Sequence, residues 1–356
     1  MKKEQLLFIY PSNSSFIQND IDFLSKKYTV ISNTYKWQKK ALLPLYLICQ
    51  FIFLMIKTPS SKAIFISFGG YWSLLPVIFG KLYKTPVFII LNGTDCVSFP
   101  NYNYGSLRKP LLRFFIKYSY KLATKLLPVS ESLVITDYTY DTTCKYKKQG
   151  FKYFFPSLKT PFKVIYNGFN INFWKQNNKV KKQNSFITVA AVSNPITFKL
   201  KGLDKFIMLA TKFKESEFTI IGISDEMQKG IVNFPKNVKC YNFLSPEKLR
   251  ELYQQHEFYL QLSINEGFGC SLCEAMLCGC IPIGSNVGII STIIDNAGFI
   301  IDKNEDELMI NTLQNALILS KDKKIKLSNI ANNHIVDNYA SEFREQQLTE
   351  VLNQIN

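Results

Sequence analysis

Histidine is almost absent from this chain of 356 residues, which contains only His256 and His334. Neither histidine directly follows an apolar, strand-like run, which is where α/β proteins concentrate the residues that contact ligands. Chemistry that depends on a histidine as general acid or base is therefore disfavoured.

Acidic residues are scarce in the first half of the chain. Residues 1–170 hold 23 Lys and Arg against 7 Asp and Glu (23 − 7 = +16), whereas residues 171–356 hold 20 of each (20 − 20 = 0). The whole net charge of +16 therefore lies in the first half. Such a one-sided field suits a polyanionic partner: anionic lipid headgroups, a phosphorylated substrate or nucleic acid. Because no nucleic-acid-binding module is recognisable, we expect a membrane surface or a phosphorylated substrate, and no nucleic acid.

An uninterrupted membrane-spanning run of about 20 apolar residues is also missing. The run Ala41–Ile56 has no charged residue, contains Pro44 and is flanked by Lys39, Lys40 and Lys57. It can be a buried core helix, an interfacial helix or a short span. The flanking lysines favour a contribution from the interface. We expect burial in the core, alone or together with an interfacial face, rather than spanning.

No secretory signal is recognisable at the start, where Lys2, Lys3 and Glu4 lead directly into the strand-like Leu6–Tyr10. The eight cysteines are therefore expected to be reduced thiols in the cytoplasm. Four of them are close together, but without the two separated knuckles that are usual in zinc sites. We expect these four to fill the core, with no metal bound: Cys270, Cys273, Cys278 and Cys280.

Strand-like and helix-like runs alternate along the whole chain. Continuous apolar runs such as Val87–Leu91 and Phe186–Ala191 suit strands that are covered on both faces. The alternation predicts an α/β protein with two doubly wound, Rossmann-like domains. The first is expected over residues 1–168 and the second over residues 169–338, after the turn signal Asn167-Gly168.

The strongest local pattern is the segment from Glu266 to Ala275, EGFGCSLCEA. It follows the strand-like run Phe258–Leu262 and opens a helix. Its glycines allow close approach of a ligand to the backbone, and the free amides of a helix start suit a diphosphate. Glu274 lies eight residues after Glu266, and carboxylates hold vicinal hydroxyls of sugars well because each oxygen accepts an O–H. The pattern indicates a site for a phosphorylated sugar.

This segment resembles the E-x7-E motif of the retaining GT-B glycosyltransferases of family 4, the glycosyl transferases group 1. Four further segments resemble landmarks of that family in the same order along the chain: Gly93-Thr94-Asp95, Pro128–Ser132, Val164–Asn170 and Lys201–Asp204. The resemblance therefore extends over nearly the whole chain. It implies a GT-B fold, in which two Rossmann-like domains face each other across a cleft, and a C-terminal helix, residues 339–356, that crosses back to the first domain.

The resemblance also implies roles for individual residues. Glu266, Lys201 and Asp95 would be catalytic, with the Lys201 ammonium neutralising the leaving diphosphate. Asn92 and Thr94 would lie on the acceptor side, in a basic domain that touches the membrane. The donor would be held by Glu274 at the ribose and by a set of residues around the diphosphate: Gly267, Phe268, Gly269, Ser271, Leu272 and Lys199.

Three positions depart from the family pattern. Lys199 stands where members have an arginine, and it lacks the two-pronged guanidinium. No histidine follows Leu91, so Asp95 is the strongest candidate on the acceptor side. Asn170 replaces the usual aspartate of the segment that begins at Val164.

The expected reaction is retaining, metal-independent transfer of a hexose-type unit. The donor is a nucleoside-diphosphate sugar and the acceptor a hydroxyl of a lipid-linked or surface saccharide, with the enzyme peripheral on the inner face of the cell membrane. Two alternatives stay open. One is another GT-B enzyme such as a nucleotide-sugar epimerase, which the scarcity of histidine disfavours; the other is a non-catalytic, membrane-attached binding protein.

Overall fold

The computed structural model describes residues 3–177, 179–230 and 234–354. The chain forms two compact units. Unit 1 comprises Met1–Asp137, Lys145–Asn167 and Glu342–Asn356, and unit 2 comprises Tyr138–Cys144 and Gly168–Ser341. Each unit has its own parallel sheet, in agreement with the two Rossmann-like domains predicted from the sequence.

The sheet of unit 1 has five parallel strands in the order β2-β1-β3-β4-β5. All side chains of Val87–Leu91 are buried, so helices cover this strand on both faces, as its continuous apolar sequence predicts. A short antiparallel pair, β6 and β7, lies outside the sheet. The strands are β1 Gln5–Ile9, β2 Thr29–Asn33, β3 Ser61–Ser67, β4 Val87–Leu91, β5 Lys125–Pro128, β6 Thr136–Asp137 and β7 Lys148–Gln149.

Helices connect the parallel strands of unit 1. The second and the fourth are preceded by short 3-10 turns, and both start with a proline in the first turn, where its missing N–H costs no hydrogen bond. The helices are α1 Ser15–Ser25, α2 Leu43–Lys57, α3 Tyr71–Tyr83, α4 Pro110–Leu122 and α5 Phe151–Phe154.

Helix α2 excludes the first of the two expected arrangements, burial in the core alone, because only one of its faces is packed. Its one polar side chain before the terminal lysine, Gln50, is fully buried, and Gln50 Nε2 donates to the carbonyl of Trp72 at 3.0 Å. Apart from Gln50, only Leu54 is buried in this helix. The helix is apolar nearly all round, so a single packed face leaves most of its apolar surface in solvent. The exposed apolar side chains are Leu45, Ile48, Phe51, Ile52, Met55 and Ile56, the last of them 62% exposed.

The sheet of unit 2 has six parallel strands in the order β10-β9-β8-β11-β12-β13. Counted within the unit, this order is 3-2-1-4-5-6, that of dinucleotide-binding Rossmann folds. The strand order reverses between β8 and β11, and ligands of such sheets bind beyond the strand ends at this point. The strands are β8 Lys182–Val192, β9 Glu217–Ile223, β10 Val238–Tyr241, β11 His256–Gln261, β12 Ile281–Ser285 and β13 Phe299–Ile301.

The helices of unit 2 follow its strands, and three of them begin with a polar side chain that caps the helix. Asn194 Oδ1 accepts from the Thr197 amide at 3.0 Å, and Ser245 and Ser320 cap the helices that start at Pro246 and Lys321 in the same way. The helices are α6 Pro195–Leu200, α7 Leu203–Lys212, α8 Asp225–Gly230, α9 Pro246–Gln255, α10 Cys270–Leu277, α11 Ile290–Ile294, α12 Asp306–Leu317 and α13 Lys321–Tyr339.

The last helix, α14 Ser341–Asn353, belongs to unit 1 from Glu342 onward. Its Arg344 is buried and forms a two-pronged ion pair with Asp20, with Nη2–Oδ2 at 2.7 Å. Arg344 Nη1 also donates to the carbonyl oxygens of Ile165 and Tyr166, each at 2.9 Å. Because removing one partner of a buried ion pair costs about 3–5 kcal/mol, this arginine fixes the end of the chain to unit 1.

The segment Tyr138–Cys144 belongs to unit 2, whereas the sequence prediction placed it in the first domain, residues 1–168. Tyr138 and Tyr140 are both buried in unit 2. The Tyr138 hydroxyl donates to the Ile264 carbonyl at 2.9 Å, and the Asn304 amide donates to the Tyr140 carbonyl at 2.8 Å. These contacts are distant in sequence, so local patterns do not reveal them.

Candidate donor site of unit 2

The segment that connects β11 to α10 carries Glu266, and a second turn supports it. Gly202, which has a φ of +66°, follows Lys201. A Cβ at Gly202 would lie 2.0 Å from the Leu262 carbonyl oxygen, so only glycine allows this close approach. The Ile264 amide also donates to the Leu200 carbonyl at 2.8 Å. The Lys201 turn is thus docked against the residues that follow β11.

This docking brings Lys201 and Glu266 together. Lys201 Nζ lies 2.6 Å from Glu266 Oε1, and the two side chains retain 30% and 11% of their exposure. Gln261 Nε2 at 2.9 Å and Ser263 Oγ at 2.7 Å donate to the same oxygen. Within residues 3–177, 179–230 and 234–354, Glu266 Oε2 has no hydrogen-bond partner. One carboxylate oxygen is therefore fixed by three donors, and the other can accept from a ligand.

A buried chain of polar side chains lies beneath this ion pair. The Tyr259 hydroxyl donates to Gln261 Oε1 at 3.2 Å, and Gln261 Nε2 donates to Ser263 Oγ at 2.7 Å. Ser285 Oγ on β12 donates to the Ser263 carbonyl at 2.6 Å. Such a connected network fixes the orientation of the carboxylate that it supports.

The sequence interpretation missed Gln261 and Ser263. The available signal was their alternation: two polar side chains, two residues apart, at the end of an otherwise apolar strand point to the same face of the sheet. Both side chains are buried. Buried polar groups at the end of a strand need partners, and here those partners belong to the site.

Glu274 lies on α10 and is partly exposed. Desolvation raises the pKa of its carboxyl to about 8. Among the residues that the structure describes, its carboxyl has no hydrogen-bond or ion-pair partner. Burial raises the pKa of Tyr259, and the charges of Glu266 and Glu274 raise it further. Both glutamates of the E-x7-E pattern are therefore close enough to Tyr259 for their charges to raise its pKa.

The start of α10 differs in part from what the resemblance implies. The Leu272 side chain is fully buried, and its amide already donates to the Gly269 carbonyl at 3.0 Å, so Leu272 is not a phosphate-facing donor. Ser271 is partly exposed, and within the described ranges its amide has no protein acceptor. Gly269 has a φ of +97°, which a side chain would strain. The Ser271 amide is therefore the better candidate for a phosphate.

The Phe268 side chain is buried, with the ring centroid 6.1 Å from that of Phe169 and 5.6 Å from that of Tyr339. The ring supports the loop from within unit 2, so the expected donor contact of this residue would have to come from its backbone. Gly267 before it is partly exposed, and Lys199 on α6 is exposed.

Asp95 in unit 1 is the clearest correction. It is 0% exposed, and both of its oxygens accept hydrogen bonds. Oδ2 accepts from the Gly69 amide and the Tyr120 hydroxyl, each at 2.8 Å, and Oδ1 accepts from the Gly93 amide at 3.1 Å. Desolvation raises its pKa, and these donors lower it again in part. Asp95 therefore positions the loops after β3 and β4 and is not placed to touch a substrate.

The other two residues predicted on the acceptor side are partly exposed. Asn92 Nδ2 donates to Ser67 Oγ at 3.0 Å, whereas its Oδ1 is buried without a partner in the described part of the chain. Thr94 lies between this asparagine and the buried Asp95. The Asn92 side chain is thus held through Nδ2, while its Oδ1 can still accept a hydrogen bond.

The four clustered cysteines form no disulfide among the residues described, and all except Cys270 are buried. Cys280 Sγ donates to the Tyr253 carbonyl at 3.1 Å. No group of three or more His, Cys, Asp or Glu side chains that could hold a metal ion is found among the residues described. These cysteines pack in unit 2 as small side chains.

Residues 170–334, nearly all of unit 2, match the family described as "Glycosyl transferases group 1". Unit 2 is thus similar to the glycosyl transferases group 1 over nearly its whole length. Over 104 residues, the chain is 36% identical to the alpha-galactosylglucosyldiacylglycerol synthase of Streptococcus pneumoniae. Over 133 residues it is 31% identical to the GDP-mannose:cellobiosyl-diphosphopolyprenol alpha-mannosyltransferase of Xanthomonas oryzae pv. oryzae. The alignments cover 27% and 34% of this chain, and only 27% and 35% of the lengths of these relatives.

Solved structures extend the likeness from unit 2 to the fold of the whole chain. The sucrose-phosphate synthase of Thermosynechococcus elongatus matches with a TM-score of 0.75 and 12% identity, over 99% of both chains. HepE of Anabaena, in complex with UDP and glucose, matches with a TM-score of 0.73 and 16% identity, over 99% of this chain and 100% of HepE. At this level of identity the matches show the fold, which is GT-B, as the sequence resemblance implies.

Proposed function

We propose that this protein is a retaining glycosyltransferase that moves a sugar from a nucleoside-diphosphate donor to a hydroxyl of a lipid-linked or surface saccharide. The ion pair between Lys201 and Glu266, at the reversal point of the β8–β11 sheet, carries this proposal. The match of residues 170–334, which include this ion pair, to the glycosyl transferases group 1 supports it.

Lys201 supplies the positive charge that the reaction needs. When the bond between the sugar C1 and the diphosphate oxygen breaks, negative charge develops on the departing diphosphate. A fixed ammonium stabilises this charge more in the transition state than in the bound donor, and so it accelerates the reaction. The hydrogen bonds from Gln261 and Ser263 to Glu266 Oε1 hold the carboxylate that orients Lys201. We propose that this arrangement works without a metal ion.

Glu274 and the start of α10 are proposed to hold the rest of the donor. A partly buried carboxylate without a protein partner suits the two hydroxyls of a ribose, since each of its oxygens can accept one O–H. The free amide of Ser271 suits a phosphate oxygen at the helix start. Glu266 Oε2 is then left for the transferred sugar.

The names of the two relatives guide the choice of substrates. One relative is a synthase of a glycosylated diacylglycerol, and the other uses GDP-mannose and a saccharide on a diphosphopolyprenol. A structural neighbour holds UDP and glucose. We therefore propose a UDP- or GDP-sugar donor and a lipid-linked saccharide acceptor.

We further propose that unit 1 binds the inner face of the cell membrane as a peripheral protein. By length and composition, the helical segment Lys40–Ser60 could cross a membrane. Only 17% of its most apolar 18-residue stretch is buried. Its exposed apolar side chains lie in the half of the chain that carries the net positive charge. An apolar helix flanked by Lys39, Lys40 and Lys57 suits the boundary between anionic headgroups and acyl chains.

A thermal-shift panel of UDP-, GDP- and ADP-sugars tests the donor. A true donor at about 100 times its dissociation constant adds about 2.7 kcal/mol of stability. Glu274→Ala should abolish this shift and Lys212→Ala, on the exposed end of α7, should not. Release of nucleoside diphosphate from the stabilising donor then separates an enzyme from a non-catalytic binding protein, which would bind without turnover.

Sedimentation with lipid vesicles tests the proposed binding to a membrane surface. Wild-type protein should sediment with anionic vesicles, more weakly at high salt and with neutral vesicles. The variant Ile48→Ser/Ile52→Ser/Ile56→Ser should lose this binding, because it removes three exposed apolar side chains without changing charge. Unchanged sedimentation of this variant would refute a role for α2.

A further inference from the structure

Unit 1 contains a cavity of about 720 Å³ that the donor chemistry does not use. Its walls come from the loop before α4, from α4 itself and from the segment around α5. Four cations and no acidic side chain line it. The polar and aromatic lining relevant here consists of Arg108, Arg113, Lys117, Lys145, Tyr146 and Phe114.

The arginines of this cavity are unusual in so lysine-rich a chain. Only four of its 43 cations are arginines. Arg344 is committed to the buried ion pair with Asp20, and Arg250 donates to the Phe173 carbonyl at 3.1 Å and stacks on the Phe173 ring. The remaining two, Arg108 and Arg113, both line the cavity. Guanidinium groups bind phosphate oxygens in a two-pronged geometry that lysine cannot offer.

Arg108 has unsatisfied hydrogen-bonding capacity. Its Nε is buried and has no acceptor among the described residues. A buried donor without an acceptor is costly and indicates a missing partner. Desolvation lowers the pKa of the neighbouring Lys109, and the charges of Arg108 and Lys40 lower it further.

Arg113 is held in place by the protein. Its Nη2 donates to the Phe154 carbonyl at 3.0 Å, and the guanidinium stacks on the rings of Phe154 and Phe155 at 5.5 and 5.6 Å. Lys117 lies one turn further along α4 and is exposed, as is Lys145. No carboxylate within 4.0 Å neutralises any of the four cations in the described part of the chain.

An apolar surface begins at the edge of the cavity. Phe114 lines the cavity and is 51% exposed. Leu111 and Tyr118, three residues before it and four residues after it on α4, are also exposed. At this spacing the three side chains lie on one face of the helix. Phosphate-binding groups and a hydrocarbon-binding face thus adjoin each other.

We infer that this cavity binds the phosphate or diphosphate of an amphiphilic, lipid-linked acceptor, with the hydrocarbon lying along the apolar face of α4. This inference rests on the proposed transfer to a lipid-linked saccharide and assigns its acceptor-side anchor. Arg108 and Arg113 contact the phosphate oxygens, and Lys117 and Lys145 add charge at the mouth. Free inorganic phosphate or diphosphate would not contact the apolar face of α4. We therefore assign the bound phosphate to a lipid rather than to a free anion.

Calorimetry with geranyl diphosphate, geraniol and inorganic diphosphate tests this assignment. All proteins carry Lys201→Ala, so that the donor-side lysine does not contribute. Geranyl diphosphate should bind more tightly than either of the other two probes. Arg108→Gln should weaken it by at least about tenfold, as expected when a charge-assisted hydrogen bond is lost.

The matched control is Lys121→Gln, which removes one exposed charge from the same helix outside the cavity and should leave the affinity nearly unchanged. Lys117→Gln/Lys145→Gln changes only exposed side chains, so it keeps the test valid if an arginine variant does not fold. Affinity unaffected by both Arg108→Gln and this pair overturns the inference. Equal affinity for geraniol or for inorganic diphosphate also overturns it. Failure of every nucleotide sugar in the thermal-shift panel would instead refute the proposed function while leaving this binding measurable.

Discussion

Two carboxylates, one in each unit, follow buried parallel strands and yet differ in what they can do. Asp95 follows β4 of unit 1 and Glu266 follows β11 of unit 2. Asp95 is fully buried and uses both oxygens to accept from neutral donors. Glu266 uses one oxygen for three donors, one of them a lysine, and keeps partial exposure. The position after a strand therefore marks a candidate, and the direction of the remaining oxygen decides whether it serves the fold or a ligand.

Removing Asp95 should give the largest loss of stability. Asp95→Ala leaves the Gly69 and Gly93 amides and the Tyr120 hydroxyl without an acceptor, which should lower the free energy of unfolding by about 3–5 kcal/mol. Urea denaturation measures this loss, with Asp22→Ala on the exposed face of α1 as control. A change below about 1 kcal/mol would mean that Asp95 is not a support of unit 1.

Removing Lys201 should instead affect turnover. We expect Lys201→Ala to slow nucleoside-diphosphate release about 100- to 1,000-fold, as for other lost transition-state donors, with little loss of stability. Steady-state rates with the donor found in the thermal-shift panel measure this effect, and Lys212→Ala serves as the charge-matched control. If Lys201→Ala weakened only the affinity for donor and left the maximal rate unchanged, the leaving-group role would be wrong.

Glu274 should make donor binding pH-dependent. Its pKa is raised to about 8, and ribose hydroxyls favour the ionised form, so donor affinity should rise from pH 6 to pH 8 by up to about tenfold per unit. In the free protein the folded state binds the proton more tightly than the unfolded state. The stability contributed by this group therefore falls as the pH rises from about 4.5 towards 8.

Glu274→Gln checks both signs. It should remove the pH dependence of donor affinity, and it should raise the melting temperature of the free protein more at pH 8 than at pH 5. Calorimetry and thermal unfolding across this range give the two measurements. A pH dependence that persists in Glu274→Gln would assign the titration to another group.

The smallest effect is expected at Ser263, which provides one of three donors to Glu266 Oε1. Ser263→Ala should slow turnover about 3- to 10-fold, equivalent to about 1 kcal/mol. Ser185→Ala removes a buried hydroxyl near the start of β8, far along the strand from the site, and should change stability without changing turnover. Equal turnover losses in both variants would show that the network acts only through general stability.

Much of the molecule could be predicted from local patterns. Continuous apolar runs such as Val87–Leu91 predicted parallel strands, and the order of motifs predicted the GT-B fold. The family resemblance assigned catalytic roles to both Lys201 and Glu266, and the structure pairs them, with Gly202 allowing the close approach of the two loops. Gln261 and Ser263 carried a weaker signal, namely two polar side chains on the same face of a strand end. The structure explains it, because both side chains are buried and hydrogen-bonded to each other.

Other features depended on contacts that are distant in sequence. The Tyr138–Cys144 segment packs in unit 2, although the chain continues from it into unit 1. Helix α2 has the composition of a core helix, yet it buries Gln50 and exposes its apolar side chains, because a single face packs. Arg108 and Arg113 were visible as cations, but only the packing of α5 against α4 encloses a cavity around them.

The amino-acid sequence alone determined the two parallel sheets, the basic first half and the loop with two glutamates, because periodicity, charge and glycine placement act over a few residues. Tertiary structure decided which hydrogen-bond donors and acceptors have no partner within the protein. Whether an oxygen or a guanidinium nitrogen still lacks a partner depends on neighbours brought in from distant parts of the chain, and the chemistry of a site lies in those unfilled positions.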